Sequence, residues 1–371
     1  MKKLILSIIV GILLVSILSG CASEEKAIWT KTYDSGKDDF ALGVTTDVSD
    51  NVIVTGYTSN GNNNDIYTIK YNKDGNLEWT KTYDSGKDDY SIAVVSDSTN
   101  NILVTGFINN GTNNDFFTIK YDLNGNILWT KSFNSGNNED ALGIAIDSKD
   151  NIIITGEHFS SSNVNFYTIK YSPDGNVLWE KSYDGGDKES PFDVATDTND
   201  NIIISGYSNT GSSYDFFTLK YDKDGNILWK KEYDGGNTDK AYEVATDSND
   251  NIIVTGESFN GANVDFLTIK YDQNGNIIWT KTYDGGNDDY SLGIATDSIG
   301  NIIVTGYTSK DKIKSYYTIK YDPFGNVIWE KLYNSGKDDY SFDVAVDTNN
   351  KIVVTGYVFN GTNNDFFTIK Y

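Results

Sequence analysis

The sequence predicts an all-β chain folded as one seven-bladed β-propeller. Each blade has four antiparallel strands, and the N-terminal strand closes the ring by completing the last blade. Three observations predict this. Tryptophan occurs at positions 29, 79, 129, 179, 229, 279 and 329 and nowhere else, a gap-free period of 50. Each unit holds four runs rich in β-branched and aromatic residues, and none has helical period. The chain ends after a third run and begins with a fourth. Units of this length stack into a single body, which excludes independent domains joined by linkers.

In the first unit the runs are Ala41–Asp47, Asn51–Thr58, Asp65–Tyr71 and Asn76–Tyr83. Between the first two, Asp47-Val48-Ser49-Asp50-Asn51 places Asp, Asn or (at Gly300) Gly where a tight hairpin needs left-handed backbone. Asn72-Lys73-Asp74-Gly75-Asn76 does the same between the last two, with Gly in all six complete copies. Four antiparallel strands suit a propeller blade, whereas the coils of a β-helix are shorter and parallel. The seventh unit stops at Tyr371 after its third run, and Ala27–Tyr33 is a fourth run lacking the other three. Pairing of Ala27–Tyr33 with Asp365–Tyr371 leaves no loose edge. A linear solenoid would instead carry atypical capping units.

Charge narrows the partners. The 30 cations are all Lys and face 53 Asp and Glu, for a net charge of -23. Such a chain repels nucleic acid and anionic membrane surfaces. The single Cys excludes a disulfide within the chain and a Cys-based metal cluster. The single His excludes any site of two imidazoles, and the lack of Arg excludes an arginine clamp on phosphate or carboxylate.

Residues 1–20 read as a lipoprotein signal peptide. Lys2 and Lys3 precede an apolar stretch, Leu4 to Leu18, that leads into Leu18-Ser19-Gly20-Cys21. This resembles the lipobox of bacterial lipoproteins, which implies diacylglycerol on Cys21 and attachment outside the cytoplasm. Residues 21–26 then form a short tether, and 27–371 the propeller. Ala22 after the Cys, rather than Asp, leans towards the outer membrane or cell surface. The strand Ala27–Tyr33 starts at the bottom of the ring, five residues after Cys21, a reach of roughly 20 Å. The bottom rim is thus expected at the membrane. The top face, formed by the connections Asp34–Phe40 and Ser59–Asn64 and their copies, points away. A monomer is expected.

The pattern Trp79, Gly86, Asp89, Asp97, Asn101, Thr105-Gly106 recurs in every unit. It resembles the bacterial seven-bladed propeller repeat known as the SBBP repeat, over the whole mature chain. The resemblance implies a secreted or surface propeller and no particular reaction. The Asn-rich stretch Ser59–Asn64 and the Tyr-x-x-Asp-Gly-Asn turn depart from that pattern.

Residues present in every unit are expected to serve the blade. Trp29 and its copies would pack between blades. Lys31, Lys70 and their copies, 14 of the 30 cations, would lie on the two outer strands and discourage edge pairing. Asp47 and its copies would cap a turn. The acid at Asp39 and its copies would tie down the Gly36 loop, with a cation or sugar ring at the channel mouth as the rival.

Function is expected where the repeat breaks. The Gly43 column is acidic at Asp193, Glu243 and Asp343, and the Tyr57 column at Glu157 and Glu257. A three-residue turn would put both columns on one face. Asp193, Glu243, Glu157 and Glu257 would then gather in blades 3–5 beside His158, as candidates for acid/base catalysis or for holding a divalent cation. A wet channel lining is the plain alternative. No cofactor is expected, with Ca²⁺ left open at turns such as Asp147–Asn151 and Asp222–Asn226, which lack the loop length and distal Glu of an EF-hand. On the top face Tyr90, Tyr290, Tyr340, Phe159, Phe259 and Phe359 lie among Asn-rich loops, a mixture that suits sugar recognition. The expected role is a non-enzymatic binding or scaffold module for envelope glycans or proteins. The rivals are a carbohydrate-active lyase or hydrolase using the acids of blades 3–5, and an envelope assembly factor.

Overall fold

Burial turns the four runs of each unit into four strands of different character. In blade 1 these are Asp39–Thr46, Val52–Ser59, Asn64–Tyr71 and Leu77–Tyr83. The second and third are buried on both faces, so Val52-Ile53-Val54 is a continuous apolar run. The fourth alternates between half-buried and exposed residues, because one of its faces meets water. The computed structural model describes residues 26–371 apart from 161, 162, 187, 210, 212 and 311. The expected signal peptide and Cys21 lie outside the described residues.

Seven such four-stranded antiparallel sheets form the ring, each hydrogen-bonded in chain order from inside to outside. In blade 7, Asp339–Val346, Ile352–Phe359 and Asn364–Lys370 are completed by Trp29–Tyr33, in register from Trp29 opposite Lys370 to Tyr33 opposite Phe366. This is the expected closure. The apolar core is divided into seven clusters, each shared by two adjacent blades. The cluster at the seam joins Val353 and Phe366 of blade 7 to Val44, Val54 and Ile69 of blade 1, like the other six.

Both hairpin turns use left-handed backbone as expected. Asp50 has φ 63°, Gly300 φ 81° and Gly75 φ 81°. Gly75 has a second reason to lack a side chain: a Cβ there would meet Lys31 Cε at 2.9 Å and the Trp29 ring at 3.0 Å. Trp29 belongs to the preceding blade, and its indole Nε1 donates to the Lys73 carbonyl at 3.2 Å. Trp79, Trp129, Trp179, Trp229 and Trp279 repeat this bond to the next blade. The tryptophans are therefore inter-blade packing residues.

The two lysine columns differ. Lys31 does lie on the outermost strand, but Lys70 and its copies correct the expectation of an edge-guarding role. Lys70 is buried in the third strand and pairs with Asp47 at 2.9 Å, and the same pair recurs in all seven blades at 2.8–2.9 Å. Asp47 Oδ1 also accepts the N–H groups of Ser49 and Asn51, and its Oδ2 accepts the Asn51 amide. Despite the cost of burial, the Lys and these donors hold the carboxyl below its usual range. A lysine can be buried here because the carboxylate it meets is already fixed by a turn.

Removing one partner of such a pair leaves an uncompensated buried charge. We expect Lys120→Met to destabilise the ring by about 3–5 kcal/mol. Urea unfolding measures this; a loss below about 1 kcal/mol would show the pair to be dispensable.

Candidate functional site

The innermost strands do not run straight past the channel. In every blade the register slips at the third residue from the top: Ala41 faces Gly56, but Gly43 faces Thr55, which leaves Leu42 unpaired. This β-bulge aims the Leu42 column into the channel. Leu42, Ile92, Leu142, Phe192, Tyr242, Leu292 and Phe342 form an apolar collar around a chamber of about 320 Å³. A second chamber of about 460 Å³ lies below, lined by the residues that follow, such as Val44, Thr45 and Thr46. Asp193, Glu243 and Asp343 line both chambers.

The bulge also explains the Gly43 column. At Gly143 a Cβ would lie 2.7 Å from the Asp193 Cα of the next blade, and at Gly43 it would lie 2.8 Å from the Ile92 carbonyl oxygen. At these glycines the neighbouring inner strand leaves no room for a side chain. Where it is acidic, the carboxylate bridges the two strands instead. Asp193 Oδ2 accepts the Val244 N–H at 3.1 Å, Asp343 Oδ2 accepts the Val44 N–H at 2.7 Å, and Glu243 accepts the Ile294 N–H. The side chains retain some contact with channel water but are ringed by protein. Burial, opposed by these N–H donors, pushes Asp193 up to about 7 and Asp343 up to about 6. Burial and the charges of Asp343 and Asp193 raise Glu243 well above the carboxylate range. The three titrate as one coupled group.

The structure thus brings Asp193 and Glu243 together with Asp343, and separates them from the other acids expected beside them. Glu157 and Glu257 pair with Asp140 and Lys240 across the first two strands, above the bulge, not with the Gly43 column. The two columns do not share a face as expected, because a bulge lies between the two positions. Glu157 accepts a hydrogen bond from the Ser190 hydroxyl of the next blade, and Glu257 pairs with Lys240 at 3.1 Å. His158 points to the opposite face of its strand, with Nε2 3.1 Å from Ser135 Oγ and 3.8 Å from Glu139 Oε1.

The tops of several blades carry aromatic pairs. Residues of the Phe40 and Tyr57 columns pair across the first two strands at the top of each blade. Over blades 6, 7, 1 and 2 they build an unbroken arc of eight half-buried rings: Tyr290, Tyr307, Tyr340, Tyr357, Phe40, Tyr57, Tyr90 and Phe107. All seven centroid separations are 4.8–5.0 Å, with interplanar angles of 27–32° within a blade and 67–81° between blades. Both are preferred ring geometries. Over blades 3–5 the same positions hold Asp140, Glu157, Ser190, Tyr207, Lys240 and Glu257. Tyr90, Tyr290 and Tyr340 belong to the arc. Phe159, Phe259 and Phe359 end the second strands, two residues further on, and are not part of it.

The Asp39 column and the turn acids hold loops and turns in place. Asp39 Oδ2 accepts the Ser35 N–H at 2.7 Å, and most of its copies repeat this bond, which ties down the Gly36 loop. Asp147 is filled by Lys149, Asn151 and Lys170, and Asp222 by Asp224 and Asn226. The carboxylates of Asp147 and Asp222 thus accept hydrogen bonds from their own hairpins, and Lys170 also reaches Asp147.

The channel acids make stability depend on pH. Unfolded carboxyls titrate near about 4. Between about pH 4 and pH 7 the folded ring therefore holds more protons than the unfolded chain, and these groups cost stability as pH rises through that window. Gln at 243 mimics the protonated acid. We expect Glu243→Gln to raise the Tm at pH 8 and the gain to vanish at pH 4.5; a gain independent of pH would contradict the coupling.

Residues 49–78 match the family model of a domain of unknown function (DUF5122) β-propeller. They span the second and third strands of blade 1 with the turns on either side. No curated protein matches the chain significantly. Among solved structures the chain is similar to a gluconolactonase from Xanthomonas campestris, at 11% identity and a TM-score of 0.46, over 92% of this chain and 89% of that one. The closed ring of seven four-stranded sheets, with the family match inside its first blade, makes the chain a seven-bladed β-propeller.

Proposed function

We propose that the chain is a lipid-anchored extracytoplasmic module that binds a glycan on its top face without transforming it. The observation that carries this reading is the arc of eight rings beside the polar half of the same circle. Rings stack on the apolar faces of sugars, and carboxylates, hydroxyls and amines bond their hydroxyl groups. An acidic surface with no Arg favours a neutral or amino sugar over an acidic one. The channel acids are spent on backbone N–H groups, which turns the reading away from catalysis in the channel. The repeat's resemblance to the SBBP pattern is consistent with a surface location.

The opposite face supports an anchor at the bottom. The fourth strands begin there with exposed apolar pairs such as Ile127 with Leu128 and Ile277 with Ile278, and the turn tips carry Leu123, Ile299 and Phe324. Lipid on Cys21 would hold this apolar rim against a bilayer. A second reading, a glycan hydrolase or lyase, draws on Glu157. Burial and the Asp140 charge raise its carboxyl against the Ser190 hydrogen bond, as a proton donor requires.

A screen of envelope glycans with the soluble ring tests the first reading. Tyr57→Ala with Tyr340→Ala should weaken binding at least tenfold, about 1.4 kcal/mol, while Asp74→Ala in a bottom turn should not. The opposite pattern would overturn the top-face assignment, and release of shortened glycan during the screen would select the hydrolase or lyase. For the anchor, Cys21→Ser should abolish labelling by radioactive fatty acid and release the protein from membranes. Undiminished labelling would refute it.

A further inference from the structure

We propose a calcium-binding site at the junction of blades 4 and 5, formed by Asp215, Asp234 and Asp239. Asp215 lies on the third strand of blade 4, Tyr214–Tyr221, and Asp239 opens the innermost strand of blade 5, Asp239–Thr246. Asp234 sits in the connection between the two blades. One carboxylate oxygen from each lies within 4.8 Å of the other two. Asp215 and Asp239 are buried and Asp234 is exposed.

The same three positions are all Asp at three other junctions. There, neutral donors serve the buried acids. Asn60 and Asn63 donate their amides to Asp65, and the Ser85 hydroxyl donates to Asp89 Oδ1 at 2.7 Å. The Ser35 hydroxyl does the same for Asp39, and Thr308 for Asp289. The junction of blades 4 and 5 keeps all three acids and changes the donors. Gly235 stands in place of Ser85, and Thr210 and Ser213 in place of Asn60 and Asn63; Ser213 still donates its hydroxyl to Asp215 Oδ1 at 3.0 Å, so the change falls on Asp239.

The consequence is visible in the side chains. Asp239 is 0% exposed; the Ser258 hydroxyl across the hairpin favours its charged form, yet its Oδ1 makes no hydrogen bond of good geometry among the described residues. Its other oxygen is held by the Gly235 N–H at 2.7 Å. A buried carboxylate oxygen without a partner is costly, and two further carboxylates close by add to the cost. A divalent cation offsets both. The donors are all oxygen, with neither His nor Cys in the group, which suits calcium rather than zinc. Calcium accepts irregular shells of about 6–8 oxygens, so water can complete one from the side of Asp234. Bound there, the ion links the outer part of one blade to the innermost strand of the next.

Terbium(III) and calcium added to the full chain test the site, with terbium emission sensitised by nearby aromatic residues such as Tyr233. We expect a terbium signal displaced by calcium with an affinity in about the 10⁻⁴ M range. Asp234→Asn alters only an exposed acid and should weaken the tightest site roughly tenfold or more. Asp84→Asn, the equivalent change between blades 1 and 2, should leave that site intact. No calcium-displaceable emission, or an undiminished tightest site in Asp234→Asn, would overturn the proposal. Calorimetry with calcium alone measures the same affinity without a lanthanide.

Discussion

The ring depends on one buried contact repeated seven times, the pair between the Asp47 and Lys70 columns. A lone charge in that position would be costly, and so would a pair with free oxygens or protons. Here the carboxylate is filled by its own turn and by the lysine. In several blades the lysine also reaches the next blade: Lys120 donates to the Pro173 carbonyl, the atom that Trp129 Nε1 also reaches. A hairpin, a third strand and the neighbouring blade are thereby locked by one network. A second tie lies beside it. The left-handed residue of the first hairpin in six blades, such as Asp150, accepts an N–H from the preceding blade, and Asp50 does so from Thr348 across the seam. Gly300 has no side chain with which to do so. The bottom of the ring is therefore held by polar contacts of fixed geometry, and the apolar clusters fill the space between them.

The top and the channel are where the blades differ. Seven inner strands converge on one axis, and the bulge at the Leu42 column lets each strand turn a side chain into the lumen. Apolar residues there line the upper chamber. One position further on, Gly allows neighbouring strands to touch, and an acid replaces that touch with a hydrogen bond to the next strand. Three acids in seven blades are brought within mutual influence, so a device for joining blades also becomes proton-sensitive. Each of these acids joins two inner strands, and the aromatic arc lies on the blade tops above them.

The aromatic arc can be read in the repeat when it is taken column by column, although only Tyr90, Tyr290 and Tyr340 of its eight rings were expected. Positions 40 and 57 change together: both are aromatic in blades 1, 2, 6 and 7, and in blade 3 they are Asp140 and Glu157. That pairing identifies partners across a hairpin without any coordinates. The channel trio was only half legible, because Asp343 stands out in its column but nothing in the chain marks the bulge that brings it to Asp193 and Glu243. The burial of Lys70 was not legible either. A lysine in an outer run reads as an edge residue until its partner two strands away is known.

The sequence by itself determined the number of blades, the four strands in each, the turn chemistry and the closure by the first strand. All of these follow from local pattern and from a period that cannot drift. The tertiary structure decided which side chains meet. Side-chain direction in a strand alternates only while the register holds, and one unpaired residue per inner strand breaks the alternation. Contacts between blades add a second uncertainty, because they join residues about fifty positions apart and depend on how one sheet sits against the next. The acid trio, the aromatic arc and the junction of Asp215, Asp234 and Asp239 all lie across such contacts, beyond the reach of any pattern within a single unit.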